Sequence, residues 1–255
     1  MKFSIFGSNG FIGSNMVKYL KNQNVEYEIL DPNDEKIFEK ELGHVIYAIG
    51  ITGDFRERYF DTVESHVCLL HKILKKCKFE SFLYLSSTRI YSDITSSSES
   101  DNIVVNSNNL DNVYNISKLM GESLCLSCNP TKTRIARLSN VVGNDVEYND
   151  FLSSIIQDVV TKKKSVIHTT ECSEKDYIHI DDVVKILHKI SLQGKEQIYN
   201  VGFGENTKVS EITNEIKKII NCEIKFSSDA IEQSFPRINI DKIQEEFDFR
   251  PSSFL

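Results

Sequence analysis

Through the first half of the chain, short apolar runs of strand length alternate with amphipathic stretches at helical spacing. Lys2–Phe6, Glu26–Leu30, His44–Ile49, Ser81–Leu85 and Thr133–Leu138 read as strands. Phe11–Asn22, Asp61–Cys77 and Tyr114–Leu126 read as helices, with a short polar helix between Leu30 and His44. Alternation of this kind predicts right-handed βαβ units, and so a parallel sheet covered by helices on both faces. Ligands of such sheets sit beyond the carboxyl ends of the strands, so functional side chains are expected directly after strands.

After about residue 143 the pattern loosens into mixed helices and short strands, among them Val166–His168, Tyr177–Ile180 and Ile198–Val201. The expected organisation is a dinucleotide-binding unit over residues 1–143 and a smaller mixed α/β, substrate-binding lobe over 144–255, with some later segments returning to the first unit. Residues 92–112, rich in Ser and Asn, predict a long loop, either a surface insertion or the flank of a site.

Charge and hydropathy narrow the partners. Thirty basic against 37 acidic side chains leave a net charge of −7, which repels a polyanion, so nucleic acid is not an expected partner. A local basic pocket stays open. The longest apolar runs, such as Val45–Ile51, fall well short of the roughly 20 residues of a membrane-spanning helix. Met1–Phe6 enters a glycine turn without the apolar core of a secretory leader, so the expected location is the cytoplasm, with the six cysteines reduced. Cys125-x-x-Cys128 has no second pair, and no histidine spacing matches a metal motif; no metal is expected.

The sharpest chemical signal is Gly7-Ser8-Asn9-Gly10-Phe11-Ile12-Gly13, set between an apolar strand and an amphipathic helix. Gly7, Gly10 and Gly13 permit a tight turn and close backbone approach, while the helix N-terminus receives the charge of a pyrophosphate. Asp31 ends the second strand, where a carboxylate accepts hydrogen bonds from ribose hydroxyls and repels a 2′-phosphate, pointing to NAD over NADP. Its other reading is a cap for the helix that follows Pro32. Tyr114 and Lys118 stand four residues apart and share one helix face. An ammonium beside a phenol lowers the phenol's pKa, which suits it to exchange a proton with a hydroxyl near neutrality. Leu85-Ser86-Ser87-Thr88 adds hydroxyls at the ligand edge of the preceding strand.

These residues resemble the extended short-chain dehydrogenase/reductase family, in particular its nucleotide-sugar epimerases, dehydratases and reductases. The resemblance covers most of the chain: the glycine turn, Leu85-Ser86-Ser87-Thr88-Arg89-Ile90-Tyr91, Tyr114-x-x-x-Lys118, Arg137–Gly143, Asp176–Val183 and Tyr199-Asn200-Val201-Gly202. It implies a Rossmann-type doubly wound parallel sheet, bound NAD, a nucleotide-sugar substrate and a homodimer built on two long helices. By the same resemblance, Ser87, Tyr114 and Lys118 are catalytic, with Tyr114 as acid and base. Gly7, Gly10, Phe11, Ile12, Gly13, Asp31, Ala48, Gly50 and Ser86, together with Tyr114 and Lys118, line the cofactor; Thr88, Asn140 and Arg237 approach the substrate. Asn140 also reads as a turn residue, and Arg237 as half of a surface salt bridge. Arg89, Arg137 and Lys175 are further candidates for a substrate diphosphate.

Departures matter as well. The dehydratases carry an Asp-Glu pair after the active-site hydroxyl, whereas Thr88 and Arg89 follow Ser87, which disfavours dehydration. His66 stands where the family has an asparagine; it can hydrogen-bond inward, but reads first as a helix-surface side chain. Between Asp31 and His44 the chain is too short for the family's additional strand. The implied activity is hydride exchange at a ring carbon of a nucleotide-linked sugar, by epimerisation or ketoreduction. The alternative is a catalytically silent sensor or scaffold on the same fold.

Overall fold

In the computed structural model, which describes residues 1–143 and 151–253, β1 (Lys2–Phe6) runs through the glycine turn into α1 (Phe11–Asn22) and returns as β2 (Glu26–Leu30). Residues 31–43 hold one 3₁₀ turn, Glu35–Glu39, and no strand; β2 is therefore the outer edge of the sheet. Next come β3 (His44–Tyr47), α2 (Tyr59–Val63), a π-helical turn at Glu64–Cys68, α3 (Leu69–Lys76) and β4 (Ser81–Ser87). A 3₁₀ turn, Thr88–Tyr91, opens the long loop that ends at α4 (Asn112–Cys128), followed by β5 (Thr133–Leu138) and β6 (Asn140–Val142). The remainder is α5 (Phe151–Lys162), β7 (Lys164–Thr169), β8 (Glu174–His179), α6 (Ile180–Gln193), β9 (Ile198–Val201), β10 (Asn206–Lys208), α7 (Val209–Ile219), β11 (Glu223–Ile231) and α8 (Asp241–Phe247).

Six strands pair in the order β2-β1-β3-β4-β5-β9, every pair parallel. Both faces are apolar because alternate residues of a strand point to opposite sides. Phe3, Ile5, Ile46, Leu83, Leu85 and Ala136 meet Met16 and Leu20 of α1 and Val183, Leu187 and Ile190 of α6. Phe6, Val45, Tyr47, Phe82, Tyr84 and Ile135 meet Leu70, Ile73 and Leu74 of α3 and Cys125 of α4. Each such buried aliphatic or aromatic side chain contributes about 1.5–3 kcal/mol. The sequence alternation thus predicts the fold class that is observed.

The lobe formed by later segments has a small sheet, β10-β8-β6, a parallel pair, β11-β7, and its own apolar cluster around Val159, Tyr177 and Ile212. β9 leaves this part of the sequence and pairs with β5. The boundary expected at residue 143 adjoins residues 144–150, which lie outside the described residues. Among the described residues, no helix is long and apolar enough to cross a membrane.

The 92–112 loop is tied down from within. Ser97 and Glu99 are buried: Ser97 Oγ donates to the Arg237 carbonyl at 2.6 Å, and Glu99 accepts the Asn200 N–H at 2.9 Å. Asp181 and Asp182 stand in the first turn of α6, which His179 caps by accepting the Asp181 N–H. Asp182 also accepts the Ser252 N–H at 2.7 Å.

Candidate active site

Strand order reverses between β1 and β3, the place where an open parallel sheet leaves a crevice at its carboxyl edge. Gly7 follows β1 at φ +83°, a backbone conformation that strains any side chain. A Cβ there would stand 2.7 Å from the Ala48 carbonyl carbon beyond β3, and one on Gly13 2.7 Å from the Gly7 carbonyl carbon. The two glycines therefore let the first turn of α1 close against both strands. The exposed amide edge of this turn opens into a cleft of about 510 Å³.

Along the cleft lie Gly10, Phe11, Ile12, Ala48, Gly50, Ser86, Ser87, Thr88, Tyr114, Lys118 and Asn140. Residues taken from five separate stretches of sequence thus meet in one place. Gly7 and Gly13 lie beneath the turn rather than on the wall. Asp31 is exposed at the end of β2, its Oδ1 accepting the Asn33 N–H at 2.9 Å, while Asp34 caps the 3₁₀ turn. Arg237 does not join the cleft. It lines a neighbouring depression with Ser96, Ser97 and Gly204, and its Nε donates to the Gly204 carbonyl at 2.5 Å.

Lys118 is buried, and its Nζ donates to the Leu85 carbonyl at 2.9 Å. The ammonium stands 5.3 Å from the ring centre of Tyr84 and 5.9 Å from that of Tyr114. Burial pulls its pKa down to about 7, against the opposing pull of Glu122. Tyr114 is itself buried, its ring held between Phe55 (5.0 Å between centres) and the edge of His66 (5.3 Å). Ser87 caps the 3₁₀ turn after β4 by accepting the Arg89 N–H at 3.2 Å.

His66 is completely buried, contrary to the surface position expected from its residue type. Thr62, His66 and Leu70 lie at four-residue intervals on one inward stripe, which was the available signal. Ser117 Oγ donates to the Tyr114 carbonyl at 2.8 Å, so its lone pair receives His66 Nδ1–H at 2.9 Å; Nε2 then accepts the Ile51 N–H at 3.3 Å. The ring is neutral, its pKa pulled down to about 2 by burial and by the Lys118 charge.

Beneath the cleft, Ser86 Oγ donates to Glu122 at 2.6 Å, and Glu122 takes a two-pronged pair from Arg137 at 3.0 and 2.7 Å. Arg137 continues to the Tyr91 hydroxyl at 2.7 Å, and Tyr91 to Asn200 at 2.8 Å. Arg137 is spent on this buried chain and lines no part of the cleft. Sequence reasoning also missed Phe55 and Arg56; the signal was their place in the loop after β3, at the ligand edge of the sheet.

Residues 53–202, more than half of the chain, match the NAD dependent epimerase/dehydratase family. The chain belongs to that family. Among curated proteins it is similar to a dTDP-D-glucose 4,6-dehydratase of Dictyostelium discoideum, 26% identical over 88% of this chain and 62% of the relative. It is also similar to a putative UDP-glucose 4-epimerase of Methanocaldococcus jannaschii, 27% identical over 89% of this chain and 84% of the relative. The chain thus spans less than two thirds of the first relative's length. A mutant UDP-glucuronic acid 4-epimerase from Bacillus cereus, solved with UDP-4-deoxy-4-fluoro-glucuronic acid and NAD, shares the fold at a TM-score of 0.84. It is 17% identical, over 99% of this chain and 95% of that one.

The cofactor of the NAD dependent epimerase/dehydratase family fits this cradle. A Cβ at Gly7 or Gly13 would fill the space that lets α1 close on the strand ends, and the helix N-terminus is aimed where a pyrophosphate needs N–H donors. Among the described residues no cluster of His, Cys, Asp or Glu could hold a metal ion.

Proposed function

We propose that the protein is an NAD-dependent epimerase or ketoreductase that exchanges hydride at a ring carbon of a nucleotide-linked sugar. The observation that carries this reading is the meeting of Ser87, Tyr114 and Lys118 on the one cleft into which the glycine turn opens. The nicotinamide, when bound, supplies the hydride acceptor and donor; the chain supplies the proton chemistry. Tyr114 takes and returns the proton of the sugar hydroxyl, Ser87 donates to the same oxygen, and Lys118 stabilises phenolate by its charge. Gly10, Phe11, Ile12, Ala48 and Gly50 hold the dinucleotide, and the Asp31 carboxylate favours NAD over its 2′-phosphorylated form.

Thr88 and Arg89 bear on the reaction class. Water elimination needs an acid and a base beside the hydroxyl residue, and neither side chain is a carboxylic acid, so epimerisation or ketoreduction is favoured over 4,6-dehydration. Exposed Phe60 and Val63 on α2 and Ile116 and Met120 on α4, two helices in contact, are the apolar side chains we propose for docking a second copy.

Chromatography of the denatured protein tests the cofactor, and mass spectrometry of nucleotide sugars tests the reaction. A tightly retained dinucleotide supports epimerisation; an exchangeable one supports ketoreduction. Tyr114→Phe keeps the ring packing and should lower turnover by about 10²-fold or more, with dinucleotide affinity preserved. Wild-type turnover in that variant would remove Tyr114 from its role.

A further inference from the structure

Besides Lys118, three cations crowd the cleft in a chain of net charge −7: Arg56, Arg89 and Lys175. Two of them sit on one aromatic ring. Phe55 carries the Arg56 guanidinium 4.6 Å from its centre and that of Arg89 at 5.2 Å, and the same ring packs on Tyr114. Both guanidiniums are therefore one aromatic ring away from the proposed acid–base.

Their compensation is incomplete. Asp111 takes Arg56 in a fork, Nε at 2.8 Å and Nη2 at 2.6 Å, and the same carboxylate meets Arg89 Nη2 at 3.3 Å. One carboxylate thus serves two guanidiniums, with exposed Asp93 adding a weaker field to Arg89. Arg89 Nε is buried and has no hydrogen-bond partner among the described residues. Burial and then Arg56 pull the pKa of Arg89 down; burial, then Arg89 and Arg56, pull Lys175 down to about 8. Asp176 is turned to the N–H groups of Phe203 and Gly204 at 2.9 and 2.6 Å, and among the described residues it forms no ion pair with any of the three. A buried donor without an acceptor, inside a set of mutually repelling cations, is a site shaped for an anion.

We propose that Arg89, backed by Arg56, binds a carboxylate on the sugar ring, so that the substrate is a nucleotide-linked hexuronate rather than a neutral hexose. The inference rests on the reading of Tyr114 as the acid–base. Carboxylate is favoured over diphosphate by position. In a hexuronate the carboxylate is attached to the ring carbon next to C4, whereas the diphosphate leaves from C1, across the ring. For hydride exchange at C4, the ring carbon farthest from the diphosphate, a cation beside Tyr114 therefore meets the carboxylate. Lys175, on β8 beside Phe235, is left for the diphosphate. Arg89 is also held in register with the reaction, because its N–H bonds the Oγ of Ser87.

Calorimetry on NAD-loaded protein with matched pairs, UDP-glucuronate against UDP-glucose and the dTDP counterparts, tests the proposal. The uronate should bind at least tenfold tighter than its neutral partner, and Arg89→Leu should bring that ratio close to one, with Arg89→Lys between. Retained dinucleotide and an unchanged melting curve establish that a variant is folded; if Arg89→Leu fails this, Arg56→Leu is read in its place. Equal affinities within a pair, or a variant that weakens both members equally, as a diphosphate contact would, overturn this inference and leave the hydride-transfer reading standing. Absence of binding by every pair overturns both.

Discussion

His66 and Ser117 are joined through Nδ1 and Oγ at 2.9 Å, and this bond fixes the proton on one side of a fully buried imidazole. The ring links the loop after β3, through Ile51, to the turn of α4 that carries Tyr114. Nitrogen NMR should therefore show a neutral Nδ1–H tautomer that does not titrate between pH 8 and 5. In the unfolded chain the ring protonates near 6.5 and in the folded protein near 2, so the unfolded state alone gains the proton in between. Stability should fall as pH drops below 6.5, and His66→Asn should flatten that acid limb in denaturant melts. An imidazole that titrates near 6.5 in the folded protein would contradict this arrangement.

Lys118 gives a slope of the same sign on the alkaline side. Its value is near 10.5 unfolded and about 7 folded, so between these the unfolded chain holds a proton that the folded one has shed. Unfolding free energy of the wild type relative to Lys118→Met should be flat below pH 7 and rise above it, by at most about 1.4 kcal/mol per pH unit. Urea melts of dinucleotide-free protein at pH 6 to 9 check this; a constant difference would mean that the ammonium persists.

Arg137→Met strands the Glu122 carboxylate in the interior and should cost about 3–5 kcal/mol in thermal or denaturant unfolding. Adding Glu122→Leu should recover much of the loss, because the expense lies in the lone charge rather than in the missing attraction. A single variant as stable as the wild type would show that the pair is solvated.

Phe60 is 91% exposed, and exposed Val63, Ile116 and Met120 stand with it on α2 and α4, which pack against each other. Phe60→Asp should convert a sedimenting dimer to monomer at micromolar concentration with the melting temperature little changed. A wild-type monomer would remove the docking face.

The regular framework was legible because its signals are local. β1, α1, β2, β5 and β9 begin and end at the residues where the apolar period does, and Gly7, Asn24 and Pro32 punctuate the first three. The cleft could be drawn from sequence because strands of a parallel sheet deliver their following residues to one edge. What was hidden depends on partners far away in sequence. Nothing near Glu99 announces that it will be buried against Asn200, and nothing near Arg137 announces Glu122 beneath it. Arg237 illustrates the reverse: a basic residue in a suggestive segment turns its Nε to the Gly204 carbonyl and lines a separate depression. His66 was misjudged because residue type was weighed above helical phase.

The return of β9 to the side of β5 has a consequence for how the molecule can come apart. Asn200, on that strand, holds Tyr91, Ser97 and Asn239 at once, so one short strand fastens the 3₁₀ turn after Ser87, the loop that follows it and the segment before α8. A fragment ending at residue 143 would leave β5 with a bare edge and Arg137 facing a broken chain of donors. The nucleotide-side unit is thus completed by a strand synthesised midway through the other, and the two are expected to melt as a single cooperative unit.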